Sequence, residues 1–188
     1  MSVKIQQCRE KGRPMSTAER RRKLTEKLTG KGGPLKGGDL AVQFGVSRQV
    51  IVQDMAILRA EGLRVVATPR GYMLLSPLRP EGLIKTVVTR HGDYESMEEE
   101  LRIMVDNGAR VLNVIVEHPV YGEITGNLMI STPEDVSRFM DTIRGSEGEP
   151  LSSLTGGVHL HTLEVRDEAS WKKILSALEE KNYLPDEK

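Results

Sequence analysis

The chain has 188 residues, in which 27 Lys and Arg balance 27 Asp and Glu, and this length suits one domain or two small ones. No apolar run approaches the ~18 residues of a membrane span and no signal-peptide pattern opens the chain, so we expect no membrane partner. The single cysteine, Cys8, excludes an internal disulfide framework and fits a reducing compartment, so we expect a cytoplasmic protein.

The charge is divided unevenly along the chain. Residues 1–75 carry 15 basic and 6 acidic side chains, a net charge of +9, whereas residues 76–188 carry 12 and 21, a net charge of −9. A basic half joined to an acidic half is typical of a polyanion-binding module fused to a domain with another task.

The first predicted elements are a basic arm and a helix. Residues 1–16 are polar and basic, and we expect them to form a flexible arm. Ser16 or Thr17 caps a first helix that runs to about Leu28. The basic run at residues 20–23 is either a solvated face of this helix or a set of phosphate contacts, which give affinity without sequence information.

The pattern that follows is typical of a helix-turn-helix. Residues 39–44 read as a short helix, a turn containing Gly45 comes next, and residues 47–62 read as a second helix. Ser47 is a good N-cap for the second helix, and Gly62 is free to adopt the left-handed conformation that ends it.

The second helix has the composition of a DNA-recognition helix. One narrow apolar stripe, suited to packing on a core, is formed by Ile51, Met55 and Leu58. Arg48, Gln49 and Gln53 point away from it, and these side chains make two-pronged hydrogen bonds to base edges. An ordinary amphipathic helix has the same pattern, so the neighbouring segments matter for this interpretation.

A β-hairpin is predicted directly after the recognition helix. Residues 63–67 and 72–75 read as strands, with a Pro- and Gly-containing turn at 68–71. A helix-turn-helix followed by a hairpin is a winged helix, which we place at residues 17–76. Arg70, at the tip of the wing, is positioned for a phosphate or the minor groove. We therefore predict DNA contacts from Ser47, Arg48, Gln49, Gln53 and Arg70.

The acidic half is predicted to be a second domain. Residues 77–82 read as a linker, and residues 83–184 alternate strands and helices in the order β-α-β-β-α-β-α. Strands interspersed with helices, including one strand-strand hairpin, predict an α+β sandwich with one helix layer. The fold class of the whole chain is therefore α+β, a winged helix-turn-helix joined to this sandwich.

All four histidines lie in the acidic half. His159 and His161 are two residues apart on a predicted strand, so both side chains project from one face, and His91 ends another strand. Imidazoles in this arrangement suit a divalent cation such as Zn, Ni or Fe. A polar surface pair gives the same spacing. A carboxylate from the run at residues 98–100 completes the set; the helical wheel points Glu99 away from the apolar face and puts its two neighbours beside it.

These motifs resemble a known family. The N-terminal string SRQVIVQDMAILRAEG, followed by VVATPRGYMLL, resembles a winged helix of the biotin-repressor type. The strings VIVEHPVYGEI and GGVHLHTLE resemble landmarks of the three-histidine (3H) domain. Together they are similar to the NiaR-type repressors of niacin and NAD-precursor genes, over most of residues 20–184.

The resemblance implies a ligand set and an effector. It implies a divalent transition metal, with nickel favoured, bound by His91, Glu100, His159 and His161. One extra residue between His91 and the helix leaves Glu99 as an alternative to Glu100. The resemblance also implies nicotinic acid as co-repressor near the metal, operator DNA as partner and a homodimer.

The remaining histidine and a nearby tyrosine are candidates for a ligand pocket. His118 is either a hydrogen-bond partner of a ligand or a group that orients the turn before Pro119, and Tyr121 is either a pocket wall or a packed aromatic. We predict the pocket role for both.

Two other functions fit the same residues. Three histidines with one open metal position suit a metal-dependent hydrolase fused to a DNA-binding domain, although the sequence shows no obvious nucleophile or general base outside the ligand set. Alternatively, four protein ligands close the shell and the metal is purely structural. The interpretation we favour is a niacin-responsive repressor without enzymatic activity.

Overall fold

The computed structural model describes residues 15–30, 33–75, 82–146 and 148–185. Most of the predicted arm (1–16) and of the predicted linker (77–82) lies outside these residues, and so does Cys8. Within the described part of the chain, no helix is both long and apolar enough to cross a membrane.

The N-terminal part is a winged helix. Its elements are α1 (Thr17–Thr29), α2 (Gly37–Phe44), α3 (Arg48–Ala60), β1 (Val65–Thr68) and β2 (Gly71–Leu74). The Ser16 and Ser47 hydroxyls accept hydrogen bonds from the first-turn amides of α1 and α3, as predicted for N-caps. Gly45 ends α2 in the left-handed conformation, with φ of 63°. The predicted helix-turn-helix and hairpin are therefore confirmed.

The three helices and the hairpin enclose one small core. The predicted stripe of α3 is buried in it, and the buried apolar side chains are Leu24, Leu28, Leu40, Ala41, Ile51, Met55, Leu58 and Val65. Leu35 adds a short third strand segment to the hairpin, since Leu35 and Tyr72 exchange backbone hydrogen bonds of 2.8 and 2.9 Å. Gly71 makes this approach possible, because a Cβ there would lie 2.5 Å from the Leu35 carbonyl oxygen.

A buried ion pair fixes α3 against α1. Arg20 donates from Nε to Asp54 Oδ2 at 2.6 Å and from Nη2 to Oδ1 at 3.3 Å, and both residues are buried. Neither sequence interpretation of the basic run, solvated face or phosphate contact, describes Arg20. Its role is to hold α3 through Asp54, whereas Gln49 and Gln53 of the same helix are exposed.

The C-terminal part has the predicted order of elements. They are β3 (Leu83–Arg90), α4 (Tyr94–Asp106), β4 (Arg110–His118), β5 (Gly122–Ile130), α5 (Pro133–Arg144), β6 (Val158–Val165) and α6 (Glu168–Glu180). A short 3₁₀ helix, Leu151–Thr155, precedes β6 and was not predicted. The four strands form one antiparallel sheet in the order β3-β6-β4-β5.

Helices α4, α5 and α6 cover one face of this sheet. The shared core contains Met97, Leu101 and Met104 of α4, with Val136 and Met140 of α5. Leu163 and Val165 bring β6 into the same core, so alternate residues of β6 face the helices. The other face is more open: Ile84 and Val88 of β3 are 47% and 39% exposed. The predicted α+β sandwich with one helix layer is confirmed.

Candidate metal centre and nucleic-acid interface

Three elements bring the histidines and one glutamate together beneath the helix layer. His159 and His161 occupy the helix-facing side of the central strand β6, and both are buried. His91 follows the end of β3, the strand paired with β6, so it reaches the same end of the sheet. Glu100 comes down from α4 and its side chain is 0% exposed.

The four side chains converge on one point. Glu100 Oε2 lies 2.7 Å from His91 Nε2, 3.3 Å from His159 Nε2 and 3.4 Å from His161 Nε2. Ligand atoms of His91, Glu100 and His159 all lie within 4.8 Å of one another. The structure therefore gathers the predicted set of His91, Glu100, His159 and His161.

The second ring nitrogens of two histidines fix their orientation. His159 Nδ1 lies 2.8 Å from the Gly157 carbonyl oxygen, and His161 Nδ1 lies 2.9 Å from that of Asn113. A carbonyl oxygen only accepts, so each Nδ1 carries a proton and each Nε2 is turned toward Glu100. This is the arrangement that orients imidazole ligands in protein metal sites.

The donor set fits a divalent cation. Glu100 Oε1 and His91 Nδ1 are buried and, among the described residues, have no hydrogen-bond partner. A buried polar atom left without a partner is costly, and a cation beside Glu100 would satisfy the free carboxylate oxygen. Three imidazoles and one carboxylate are ligands that borderline transition metals accept.

The electrostatics of the cluster favour positive charge. Burial alone would raise the pKa of Glu100, but the charge of His161 and hydrogen bonds from the three rings outweigh burial and hold this pKa well below its usual range. Burial would likewise lower the pKa of His159, yet the hydrogen bond and charge of Glu100 raise it. The ionised Glu100 carboxylate is therefore the negative group of the cluster, and a ring that has gained a proton must lose it before that nitrogen can bind a metal.

The neighbouring glutamates have other partners. Glu99 accepts a hydrogen bond of 2.6 Å from the Tyr183 hydroxyl and pairs with Lys181. Glu98 pairs with Arg102 and Arg144 at 2.9 and 3.1 Å. Of the three acidic residues, only Glu100 reaches the histidines.

Gly157 sets the position of His91. Its φ is 92°, and a Cβ there would lie 2.2 Å from the His91 carbonyl oxygen. Because this oxygen belongs to the backbone, it can move away only if the whole of His91 shifts. The Gly157 carbonyl also accepts from the His91 amide and from His159.

Substitution of Gly157 therefore tests the packing of the cluster. We expect Gly157→Ala to lower metal affinity by at least about tenfold, because the shift of His91 removes a ligand held by surrounding structure. Gly156→Ala is the matched control: its φ of 61° brings similar backbone strain, but nothing lies within 4 Å of the added Cβ. Equal metal affinity in both variants, measured by chelator competition, would contradict this role of Gly157.

A cavity of about 230 Å³ opens beside the cluster. Its polar lining is formed by His91, Glu100, Asn127, Glu149, Ser152, His159 and His161. Its apolar lining includes Met97, Leu101, Val114, Leu128, Phe139, Ile143 and Leu151. Apart from the cluster itself, sequence patterns did not identify these lining residues, because their convergence depends on how α5 and the 3₁₀ helix fold back over the sheet.

His118 and Tyr121 lie elsewhere. They stack on each other at the β4–β5 hairpin, with ring centroids 4.9 Å apart, and His118 Nδ1 accepts from the amides of Val120 and Tyr121. Neither lines the cavity beside the cluster, and Tyr121 is 75% exposed. Their predicted contact with a ligand stays a prediction.

The predicted DNA contacts divide into two groups. Arg48, Gln49 and Gln53 are exposed on α3, and Ser47 is exposed at its N-terminus. Arg70 is instead paired with Asp135 of the C-terminal domain, with Nη1 and Oδ1 2.9 Å apart. The residues of the first group are exposed, whereas the wing arginine already has a carboxylate partner; contact of either group with DNA stays a prediction.

Comparisons with known proteins agree with this architecture. The sequence model of the family described as "3H domain" matches residues 84–187, and one described as "HTH domain" matches residues 20–73. The chain is 46% identical over 154 residues to a probable transcription repressor NiaR of Thermotoga maritima, covering 82% of this chain and 86% of that protein. It is 40% identical over 169 residues to the transcription repressor NadR of Bacillus subtilis, covering 89% and 93%.

Proposed function

Because the chain belongs to the 3H-domain family of NiaR and NadR transcription repressors, we propose that it represses transcription by binding operator DNA through α3. The chain is not an enzyme: both relatives carry the names of transcription repressors, and the hydrolase alternative finds no support in them. With DNA as partner, we place its action in the cytoplasm.

We propose that the C-terminal domain binds a divalent transition metal through His91, Glu100, His159 and His161. The observation that carries this proposal is the convergence of three imidazole nitrogens on Glu100 Oε2, with the second carboxylate oxygen buried and unpaired among the described residues. When bound, the metal would supply a Lewis-acidic position for a ligand. The ligand set suits Ni, Zn or Fe. Nickel is favoured by the family resemblance.

We propose nicotinic acid as the effector, bound in the cavity beside these ligands. A volume of about 230 Å³ suits a single-ring molecule, and the walls combine apolar side chains with Asn127 and Ser152. Either the pyridine nitrogen or the carboxylate of nicotinic acid is a suitable donor for an open metal position. The apolar walls, including Phe139, would exclude water from the ring.

We propose that two copies bind DNA together. Paired recognition helices read half-sites about 34–36 Å apart, one helical turn of DNA, and a regulatory domain controls affinity by setting this spacing. In this scheme residues 17–76 are the reader, residues 83–184 are the sensor, and residues 77–82 join them. The basic N-terminal half faces the phosphates and the acidic half faces away.

A titration of operator binding tests the proposal. With metal-loaded protein, we expect nicotinic acid to tighten binding by about 5–150-fold, the range of typical coupling energies. Metal-free protein should show no response, and nicotinamide serves as the comparison ligand. If metal-loaded protein bound the operator equally well with and without nicotinic acid, the sensor function would be wrong and a structural metal would be the better interpretation.

A further inference from the structure

The tip of the wing rests on the regulatory domain. Arg70 Nη1 lies 2.9 Å from Asp135 Oδ1 in the first turn of α5, although the two residues are far apart in the chain. The Arg70 side chain is 36% exposed and that of Asp135 only 6%. Strand β1 of the wing also lies against β5 of the sheet, so the contact is broader than one ion pair.

Hydrogen bonds within its own domain orient the Asp135 carboxylate for pairing with a cation of the other domain. Its Oδ2 accepts from the Ser131 amide at 3.2 Å and from the Ser131 hydroxyl at 3.3 Å, which fixes the carboxylate and leaves Oδ1 for Arg70. Because Arg70 is partly exposed, the pair is only partly removed from solvent, so it is stronger than a surface ion pair but weak enough to be separated. The Arg70 guanidinium therefore pairs with a carboxylate whose orientation is already fixed by Ser131.

The same turn of the wing forms part of the wall of the ligand cavity. Pro69 lines the cavity beside the histidine cluster, together with Leu128 and Phe139. These three residues also line a larger cleft, of about 600 Å³, that contains Arg70 and Asp135. A molecule that fills the cavity therefore contacts the wall on which the wing tip rests.

We propose that the Pro69–Arg70 wing tip is a latch that reports occupancy of the cavity to the DNA-binding domain. With the cavity empty, Asp135 holds Arg70. A single-ring carboxylic acid beside the histidines displaces Pro69, separates Arg70 from Asp135 and frees the wing for DNA. This inference rests on the proposed function, since it assigns the regulation of the same site.

Asp135 and a DNA phosphate compete for the Arg70 guanidinium, and this competition determines whether the ligand strengthens or weakens DNA binding. Arg70 cannot pair with Asp135 and bind a phosphate at the same time, and the latched wing is held beside a domain of net negative charge. The latched arrangement is therefore the weaker DNA binder. A co-repressor must therefore bind the arrangement with a free wing better than the latched one. The position of Pro69 in the cavity wall provides this difference in affinity.

The test compares Asp135→Asn with Glu134→Gln in the full-length, metal-loaded chain. The amide introduced by Asp135→Asn retains an acceptor for Ser131 but lacks the charge that holds Arg70. Glu134 is the matched control, because it is an exposed acid in the same first helical turn. Without nicotinic acid, Asp135→Asn should bind the operator about 5–150-fold more tightly than wild type, and added nicotinic acid should have little further effect. Glu134→Gln should respond as wild type does.

Hydrogen exchange of the wing turn gives a second readout that needs no DNA. Nicotinic acid should speed exchange across residues 68–71 in wild type, and Asp135→Asn should show the faster exchange without it. If Asp135→Asn does not fold, Arg70→Gln replaces it, and its operator binding should lose the response to nicotinic acid.

The outcomes separate the latch from the proposed function. A wild-type protein that ignores nicotinic acid would overturn the proposed function. The latch alone would be overturned if nicotinic acid tightened operator binding by Asp135→Asn as much as it does in wild type. The same holds for Arg70→Gln where that variant is used.

Discussion

Glu100→Gln is expected to lower metal affinity by roughly two to three orders of magnitude. If four ligands share the ~10–16 kcal/mol typical of structural zinc sites, each contributes about 2.5–4 kcal/mol, and about 1.4 kcal/mol corresponds to a factor of ten. The neutral amide also loses the charge that draws a cation to the three buried imidazoles. Chelator competition with Ni²⁺ and Zn²⁺ measures the change directly.

Glu99→Gln is the matched control for this experiment. It removes the same charge from the next position of α4, but the structure pairs Glu99 with Lys181 and Tyr183 instead of the histidines. We expect its metal affinity to stay within about threefold of wild type, since exposed substitutions usually change energies by about 0.5 kcal/mol. A larger loss in Glu99→Gln than in Glu100→Gln would reverse the assignment of the carboxylate ligand.

The metal also contributes to folding stability, which gives a second measure of Glu100→Gln. A ligand at about 100 times its dissociation constant stabilises the native state by about 2.7 kcal/mol. Wild-type protein should therefore melt at a higher temperature with metal than with a chelator, and Glu100→Gln should lose most of that difference. Equal melting temperatures of wild type with and without metal would contradict metal binding at this cluster.

Regular strand geometry made the histidine pair predictable from the sequence. His159 and His161 are two apart on a strand, so alternation alone places them on one face, and the structure buries both. Helix geometry was less decisive for the carboxylate: the wheel turned Glu99 away from the sheet but left Glu98 and Glu100 on either side of the apolar face. Partners far along the chain, Arg144 for Glu98 and Lys181 for Glu99, separate the three acids.

Contacts between distant segments were the part that the sequence did not reveal. Arg20 lies in a basic run whose composition is typical of an exposed helix face, yet its partner Asp54 lies 34 residues away and both are buried. Arg70 has the position of a wing-tip DNA contact, but α5 presents Asp135 to it. Composition and periodicity report which face of an element is apolar, whereas they do not report which charged side chain meets another across two elements.

Asp54→Ala is expected to destabilise the N-terminal domain by about 3–5 kcal/mol, because it leaves the Arg20 guanidinium buried without its carboxylate. In a domain of roughly 60–100 residues this lowers the melting midpoint by at least about 12 °C. Operator affinity should fall as well, since the pair holds α3 against α1. Metal content should stay at the wild-type level, because the cluster is built from other elements.

Glu61→Ala is the control for this experiment. It removes a more exposed acid near the end of α3 and should leave the melting midpoint and the operator affinity nearly unchanged. A melting midpoint for Asp54→Ala equal to that of Glu61→Ala would show that the ion pair does not hold the recognition helix.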